Sequence, residues 1–109
     1  MAYKTVGKYD QALADYNLVL ELKPDFAEAH NNRGNLYLSA GAYDQAIADY
    51  DRAVQIRPGY GEAFYNRATT LYIICKYPQA WHDLMSAESL GFPVDPKFKA
   101  QLARHIPGP

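Results

Sequence analysis

The sequence has little cysteine and no marked excess of either charge. Its 109 residues include a single cysteine, Cys75, so an internal disulfide and a paired-thiol metal site are both excluded. Lys and Arg total 11 against 12 acidic residues, and no basic cluster offers the surface that nucleic-acid backbones need. We therefore expect no nucleic-acid partner.

Long apolar runs are also missing. No stretch approaches the ~20 apolar residues of a membrane helix, and the opening MAYKTVGKYD lacks the apolar segment of a secretion signal. We expect no membrane partner, and a lone thiol is compatible with a reducing, cytoplasmic compartment. With 49% hydrophobic and 21% charged residues, the composition is that of one soluble globular domain.

Patterns that carry catalysis or bind metal are not recognisable either. The histidines at positions 30, 82 and 105 share no metal-ligand spacing, and no Ser/His/Asp or Cys/His arrangement can be assembled. Cys75 beside Lys76 is interpreted as an ordinary thiol in a turn. We expect no enzyme activity, no metal site and no cofactor.

What the sequence does contain is an internal repeat. A shift of 34 residues superposes many identical positions, which indicates a repeat architecture. The aligned sets are Gly7/Gly41, Tyr9/Tyr43/Tyr77, Gln11/Gln45/Gln79, Ala12/Ala46/Ala80, Asp15/Asp49/Asp83, Tyr16/Tyr50 and Pro24/Pro58.

The middle copy, residues 27–60, resembles the tetratricopeptide repeat along its full length. It has the family's pattern at Gly34, Tyr37, Ala46, Tyr50, Ala53 and Pro58. The third copy, residues 61–94, keeps small residues at Ala68, Ala80 and Ala87 but has Cys75 where the family prefers Gly and Phe92 where it has Pro. Residues 1–26 match only the second half of a repeat, preceded by a stub.

This resemblance implies an all-α solenoid of antiparallel helix pairs, with one domain over residues 1–109. We predict a partial repeat at 1–26, repeats at 27–60 and 61–94, a capping helix at 95–106 and a tail at 107–109. The capping helix is indicated by Asp95 at an N-cap position and Pro96 at the first helical position. Six helices follow, with turns near Gly7, Pro24, Gly41, Pro58, Cys75 and Phe92 to Pro96.

The resemblance also implies a function, that of a scaffold for protein interactions. In this family the first helix of each repeat lines a concave groove, and the groove would bind an extended peptide or a helix. Asn side chains both donate and accept hydrogen bonds, so they suit a peptide main chain, although they are also ordinary solvated positions. The predicted contacts are Asn31, Asn32, Asn35, Tyr65, Asn66, Thr69 and Tyr72, with the tyrosines stacking on the ligand.

Some family members bind the acidic C-terminus of heat-shock chaperones through a clamp of two Asn with Lys and Arg. At the Lys and Arg positions this sequence has Glu62 and Asn66 in one register, and Pro96 and Ala100 in the other. We expect the clamp to be absent. Arg33 and Arg67 stand at positions that are usually apolar in the family, and we interpret them as structural, with apolar stems and exposed or acid-paired heads.

A second candidate function is self-assembly through the partial first repeat. Its second helix would lack the cover that a complete first helix supplies, which leaves an apolar edge. A two-fold homodimer through that edge is the simplest arrangement. The predicted interface consists of Tyr3, Val6, Tyr9, Leu13, Tyr16 and Leu20.

Overall fold

The computed structural model describes residues 2–107, with side chains for residues 7–107, and all regular secondary structure in this part of the chain is helical. The elements in chain order are α1 (Ala2–Leu22), α2 (Ala27–Ser39), α3 (Tyr43–Ile56), α4 (Gly61–Ile73), α5 (Tyr77–Ser89) and α6 (Pro96–Ala103). The predicted all-α solenoid of six helices is confirmed. The last two residues of the predicted tail, 108 and 109, lie outside the described residues.

The helices pack as successive antiparallel pairs. The most extensive contacts join α2 to α3 and α4 to α5, and α3 then packs on α4. The α1 helix packs against α2, and α6 packs against α5. Each helix therefore contacts mainly its neighbours along the array, as expected for a solenoid.

Small residues allow the close approach of the paired helices. Ala46, Ala53, Ala80 and Ala87 are fully buried. Gly34 faces the buried ring of Tyr50 so closely that an added Cβ would lie 2.7 Å from Cε1. Because protein interiors are close-packed, the Tyr50 ring fits at this helix crossing only if residue 34 has no side chain.

Three helix ends share one turn geometry. After α2, Gly41 has φ +76 and the Ala42 N–H bonds to the Tyr37 carbonyl at 2.9 Å. Cys75 after α4 has φ +65, and Gly91 after α5 has φ +84, with the same pattern of hydrogen bonds. This is the Schellman arrangement, which ends a helix with one residue in the left-handed region.

The turn predicted near Gly7 is wrong. Gly7 lies inside α1, a continuous helix of 21 residues, and a Cβ added to it would meet no atom within 4 Å. A glycine inside a helix costs only about 1 kcal/mol relative to alanine. That cost is too small for Gly7 by itself to end the helix.

The final helix covers the open end of the third repeat. The Asp95 carboxylate accepts a hydrogen bond from the Lys97 N–H at 3.0 Å, and Pro96 is the first helical residue, as the sequence predicted. The helix ends at Ala103, three residues before the predicted end. Leu102 is fully buried and Phe98 packs against the core beside Leu84, so α6 closes this core with its apolar side.

Candidate functional site

A polar surface lies where α2 and α4 run side by side. It consists of exposed Asn32 and half-buried Asn35 on α2, with half-buried Asn66 and Thr69 at the equivalent positions on α4. On each helix the two residues are three apart, so they share a face. We call these four residues the amide surface.

Hydrogen bonds within the protein fix how two of these amides are oriented. The Tyr50 hydroxyl donates to the Asn35 Oδ1 at 2.6 Å, and the Asn35 NH2 group has no hydrogen-bond partner among the described residues. The Asn66 NH2 group donates to the Asn31 Oδ1 at 3.1 Å, and the Asn66 Oδ1 has no partner in the same part of the chain. Burial raises the pKa of Tyr50, so its hydroxyl stays a donor well beyond neutral pH. The surface therefore presents one ordered donor and one ordered acceptor.

Asn31 takes a structural position instead. It is fully buried, its Oδ1 accepts from Asn66, and its Nδ2 donates to the Glu62 Oε2 at 3.3 Å. A buried side chain with its hydrogen bonds satisfied inside the protein does not face a ligand. Asn31 therefore joins α2 to α4, and we remove it from the predicted contact set.

The two predicted tyrosines use their rings inside the protein. Tyr65 contacts Phe92 and Phe98 with ring centroids 5.2 and 5.8 Å apart, and its hydroxyl accepts from the Asp95 N–H at 3.4 Å. Tyr72 contacts Phe98 edge-on with centroids 5.4 Å apart. These contacts secure α6, because edge-to-face pairs stabilise packing. The two rings that were predicted to stack on a ligand are thus packed inside the protein, against side chains that include Phe98 of α6. Both tyrosines are therefore left out of the amide surface.

The positions that would form a carboxylate clamp carry no positive charge. Glu62 is an exposed acid at the start of α4, and Pro96 and Ala100 are exposed on α6. The nearby Lys99 is paired, since its Nζ lies 2.9 Å from the Glu88 Oε2. The groups that would attract an acidic C-terminus are therefore missing from these positions.

Arg33 and Arg67 form a repeated ion-pair network between the helices of each pair. Arg33 donates to both carboxylate oxygens of Asp49 at 2.8 and 2.7 Å, and Arg67 does the same to Asp83 at 2.7 and 2.8 Å. Hydrogen bonding to these acids raises the pKa of each arginine. Of the two alternatives predicted from the sequence, exposed or acid-paired, the arginine heads are therefore acid-paired. Each pair has the fork-shaped geometry of a bidentate contact.

The buried aspartates were not identified as partners from sequence. Asp49 and Asp83 are almost inaccessible to solvent, at 4% and 3% exposure. The signal was available, because Arg33 precedes Asp49 by 16 residues and Arg67 precedes Asp83 by the same distance. Because the same arginine–aspartate spacing occurs in both complete repeats, the two pairs could have been predicted from the sequence.

The predicted oligomer edge on α1 is only partly apolar surface. Tyr9, Leu13 and Tyr16 are half-buried, whereas Leu20 is buried at 7% exposure. Leu20 is removed from the predicted interface, because a side chain with 7% exposure offers little surface to a second copy. The side chains of Tyr3 and Val6 lie outside the described residues. The homodimer stays a prediction.

The remaining chemistry-bearing residues are dispersed. Cys75 is an exposed thiol. Within the described residues, no group of three or more His, Cys, Asp or Glu side chains could hold a metal ion. Over the same part of the chain, none of the helices combines the length and apolar character that crossing a membrane requires.

Comparison with known proteins agrees with the repeat pattern. A family model described as "Tetratricopeptide repeat" matches residues 27–60, and one described as "TPR repeat" matches residues 2–41. No curated protein sequence gives a significant match.

Solved structures share the fold over most of the chain. The first TPR of Spaghetti (RPAP3) bound to HSP90 peptide SRMEEVD has a TM-score of 0.81 and 23% identity, covering 95% of this chain and 82% of that chain. The TPR2B domain of yeast Sti1, in a pHsp70 complex, has a TM-score of 0.78 and 22% identity, covering 95% and 86%. The second TPR of Spaghetti, bound to the same HSP90 peptide, has a TM-score of 0.74 and 26% identity, covering 82% of each chain. With the family models and these structures in agreement, the chain belongs to the tetratricopeptide repeat family.

Proposed function

We propose that this protein is an interaction scaffold whose amide surface binds an extended peptide. The observation that carries the proposal is the fixed orientation of two amides on neighbouring helices. Asn35 offers a donor and Asn66 an acceptor. An extended peptide also presents alternating N–H and C=O groups, so its main chain can bond to both.

A related structure supports this assignment. The second TPR of Spaghetti, 26% identical to this chain, was solved bound to an HSP90 peptide. This similarity supports a peptide as the class of ligand. Which peptides this chain would prefer depends on its own side chains.

The charges indicate which peptides would bind. Glu62 stands exposed where a clamp would have a cation, so an acidic C-terminus would meet repulsion rather than an ion pair. Main-chain recognition without a charged anchor gives modest affinity, and two helices line a contact below about 1,200 Å². We therefore expect a neutral or basic extended peptide to be the ligand.

Two measurements test the function. Selection from a library of random heptapeptides should yield binders. For a selected peptide, the Asn35→Ala/Asn66→Ala double variant should lose about thirtyfold in affinity, since each of the two lost hydrogen bonds contributes about 1 kcal/mol. Gln55→Ala removes an exposed amide on α3 and is the matched control. Equal affinities of the wild-type chain and the double variant would show that the amide surface is not the site.

The second measurement addresses charge. The peptide SRMEEVD should bind no more tightly than the analogue SRMQQVN with an amidated C-terminus, which keeps the arginine and lacks every acidic group. A marked preference for the acidic peptide would mean that a cationic site exists elsewhere on the chain, and the proposed ligand class would be wrong.

A further inference from the structure

Two adjoining cavities lie where α3, α4 and α5 meet. The first, which we call the Asp51 cavity, has a volume of about 320 Å³ and is lined by Ile47, Asp51, Arg67, Leu71, Gln79, His82 and Asp83. The second, which we call the Phe64 cavity, has a volume of about 380 Å³ and is lined by Pro58, Phe64, His82, Met85, Ser86, Ser89 and Leu90. The two cavities adjoin because His82 lines both. The first combines apolar and charged side chains, whereas the second is richer in apolar ones.

Both cavities lie on the other side of α4 from the amide surface. Phe64, Arg67 and Leu71 are three and four residues apart, so they form one stripe along the helix. Asn66 and Thr69 lie roughly half a turn away from that stripe, at about 100° per residue. A ligand of the cavities is therefore independent of a peptide on the amide surface.

The charges of the Asp51 cavity do not balance. Arg67 donates to both oxygens of Asp83 at 2.7 and 2.8 Å and, through Nη1, to the Asp51 Oδ1 at 2.8 Å. With His82 neutral, one cation thus lies between two carboxylates. The Asp51 side chain is 46% exposed, and its Oδ2 has no hydrogen-bond partner among the described residues. The cavity therefore presents one anionic oxygen that can accept from a ligand.

The equivalent network in the preceding repeat has no excess charge. Thirty-four residues earlier, Asn17 stands at the position of Asp51. Arg33 donates to the Asn17 Oδ1 at 2.9 Å and to both oxygens of Asp49. One cation there meets one carboxylate, so a neutral amide is enough to bond the arginine. Asp51 is therefore not needed as an acid to hold Arg67 in place.

Space opens at the same place. Leu71 stands where the preceding repeat has Tyr37, whose ring centroid is 5.9 Å from the guanidinium carbon of Arg33. A leucine has no ring to occupy the corresponding space beside Arg67, and the Asp51 cavity lies there. Excess negative charge and open space are therefore found together, as a binding site for a cation requires.

We propose that the two cavities bind a segment of a partner protein that places a lysine side chain in the Asp51 cavity and an apolar side chain in the Phe64 cavity. The lysine ammonium would donate to the Asp51 Oδ2, and its aliphatic stem would lie against Ile47 and Leu71. Lysine fits better than arginine, because a guanidinium fork bonds both oxygens of a carboxylate and the Asp51 Oδ1 is already bonded to Arg67. An ammonium is a point charge and needs only one oxygen.

The spacing of the cavities sets the spacing of the two side chains. Along α4, Phe64 is about five residues, or roughly 7–8 Å, from the midpoint between Arg67 and Leu71. Alternate residues of an extended chain are about 6.6 Å apart and point to the same side. A lysine and a leucine separated by one residue in an extended segment therefore match the two cavities.

The probes are two peptides, acetyl-SLSKS-amide and acetyl-SKSLS-amide, which offer the pair in either chain direction. Each is titrated into the isotope-labelled full chain at low ionic strength, and NMR chemical shifts report where it binds. The shifts should move at residues that line the two cavities. Norleucine in place of lysine keeps the stem and removes the charge, and it should weaken the better peptide about fivefold, the upper end for a half-exposed ion pair.

Matched variants of the chain separate the ion pair from general attraction. Asp51→Asn copies the residue of the preceding repeat and keeps an oxygen for Arg67, so the fold should be retained. It should weaken the lysine peptide about fivefold and leave the norleucine peptide unchanged. Asp44→Asn makes the same charge change at another exposed position of α3 and should leave both affinities unaltered.

Four results would overturn the proposal. The first is no shift at the cavities with either peptide at millimolar concentration, and the second is equal affinity of the lysine peptide for the wild-type chain and Asp51→Asn. The third is a several-fold tighter binding when arginine replaces the lysine, since the cation would then be the wrong one. The fourth is a concentration-dependent dimer in sedimentation that Asp51→Asn abolishes, since the occupant would then be a second copy.

Discussion

Cys75 has a left-handed backbone conformation that favours glycine. Its φ of +65 matches Gly41 at +76 and Gly91 at +84, yet it carries a side chain. That conformation costs a non-glycine residue about 1–2 kcal/mol, and glycine loses about 0.4–1 kcal/mol more backbone entropy on folding. Cys75→Gly should therefore raise the free energy of unfolding by about 0.5–1 kcal/mol in urea denaturation.

The control for this prediction is Cys75→Ser, which keeps the left-handed strain and removes only the thiol. It should stay within about 0.5 kcal/mol of the wild-type protein, as exposed substitutions usually do. If the serine and glycine variants were equally stable, the strain would lie elsewhere.

The arginine–aspartate pairs also belong to the residue scale. Arg67→Leu leaves the Asp83 carboxylate buried without its fork partner, and breaking a buried pair in this way costs about 3–5 kcal/mol. The Arg67→Leu/Asp83→Leu double variant should recover most of that loss, because no lone buried charge remains. Thermal unfolding of the single variants Arg67→Leu and Asp83→Leu and of the double variant checks the prediction, and simple additivity of the two single changes would contradict it.

At the scale of the helices, one substitution has opposite effects in two places. Gly34→Ala places a methyl group against the buried Tyr50 ring, and overpacking of this kind costs about 1–3 kcal/mol. Gly7→Ala lies in open space inside α1 and should stabilise that helix by about 0.5–1 kcal/mol. Urea midpoints that move in the same direction for both variants would show that the helix crossing is looser than described.

At the scale of the whole molecule, stability should be uneven along the array. The α1 helix packs against α2 alone among its extensive contacts, whereas α3 and α4 each have neighbours on two sides. A solenoid transmits stability through such neighbour contacts, so α1 should open first. Hydrogen exchange followed by mass spectrometry should show the fastest amide exchange in α1 and the slowest in α3 to α5. Uniform protection would indicate one cooperative unit.

Much of the array was predictable because its signals are local. The turns at Gly41 and Cys75 follow from the repeat, and Asp95 with Pro96 marks the start of α6. All four residues of the amide surface were among the predicted contacts, since Asn32, Asn35, Asn66 and Thr69 are polar positions on helix faces. The hydrogen bonds that orient Asn35 and Asn66 were not predicted. The predicted turn at Gly7 was wrong, because a glycine ends a helix only where packing requires the chain to reverse.

The sequence by itself determined the helical repeat, its period of 34 residues and the small residues at the helix crossings. Periodicity and steric size are properties of neighbouring positions, so they can be read without coordinates. Only the tertiary structure decided that Asn31 is buried, that Tyr65 and Tyr72 pack on α6, and that Leu20 is covered. Each of these depends on which side chain of a distant helix reaches the same place, and burial is a property of the assembled pair rather than of either residue.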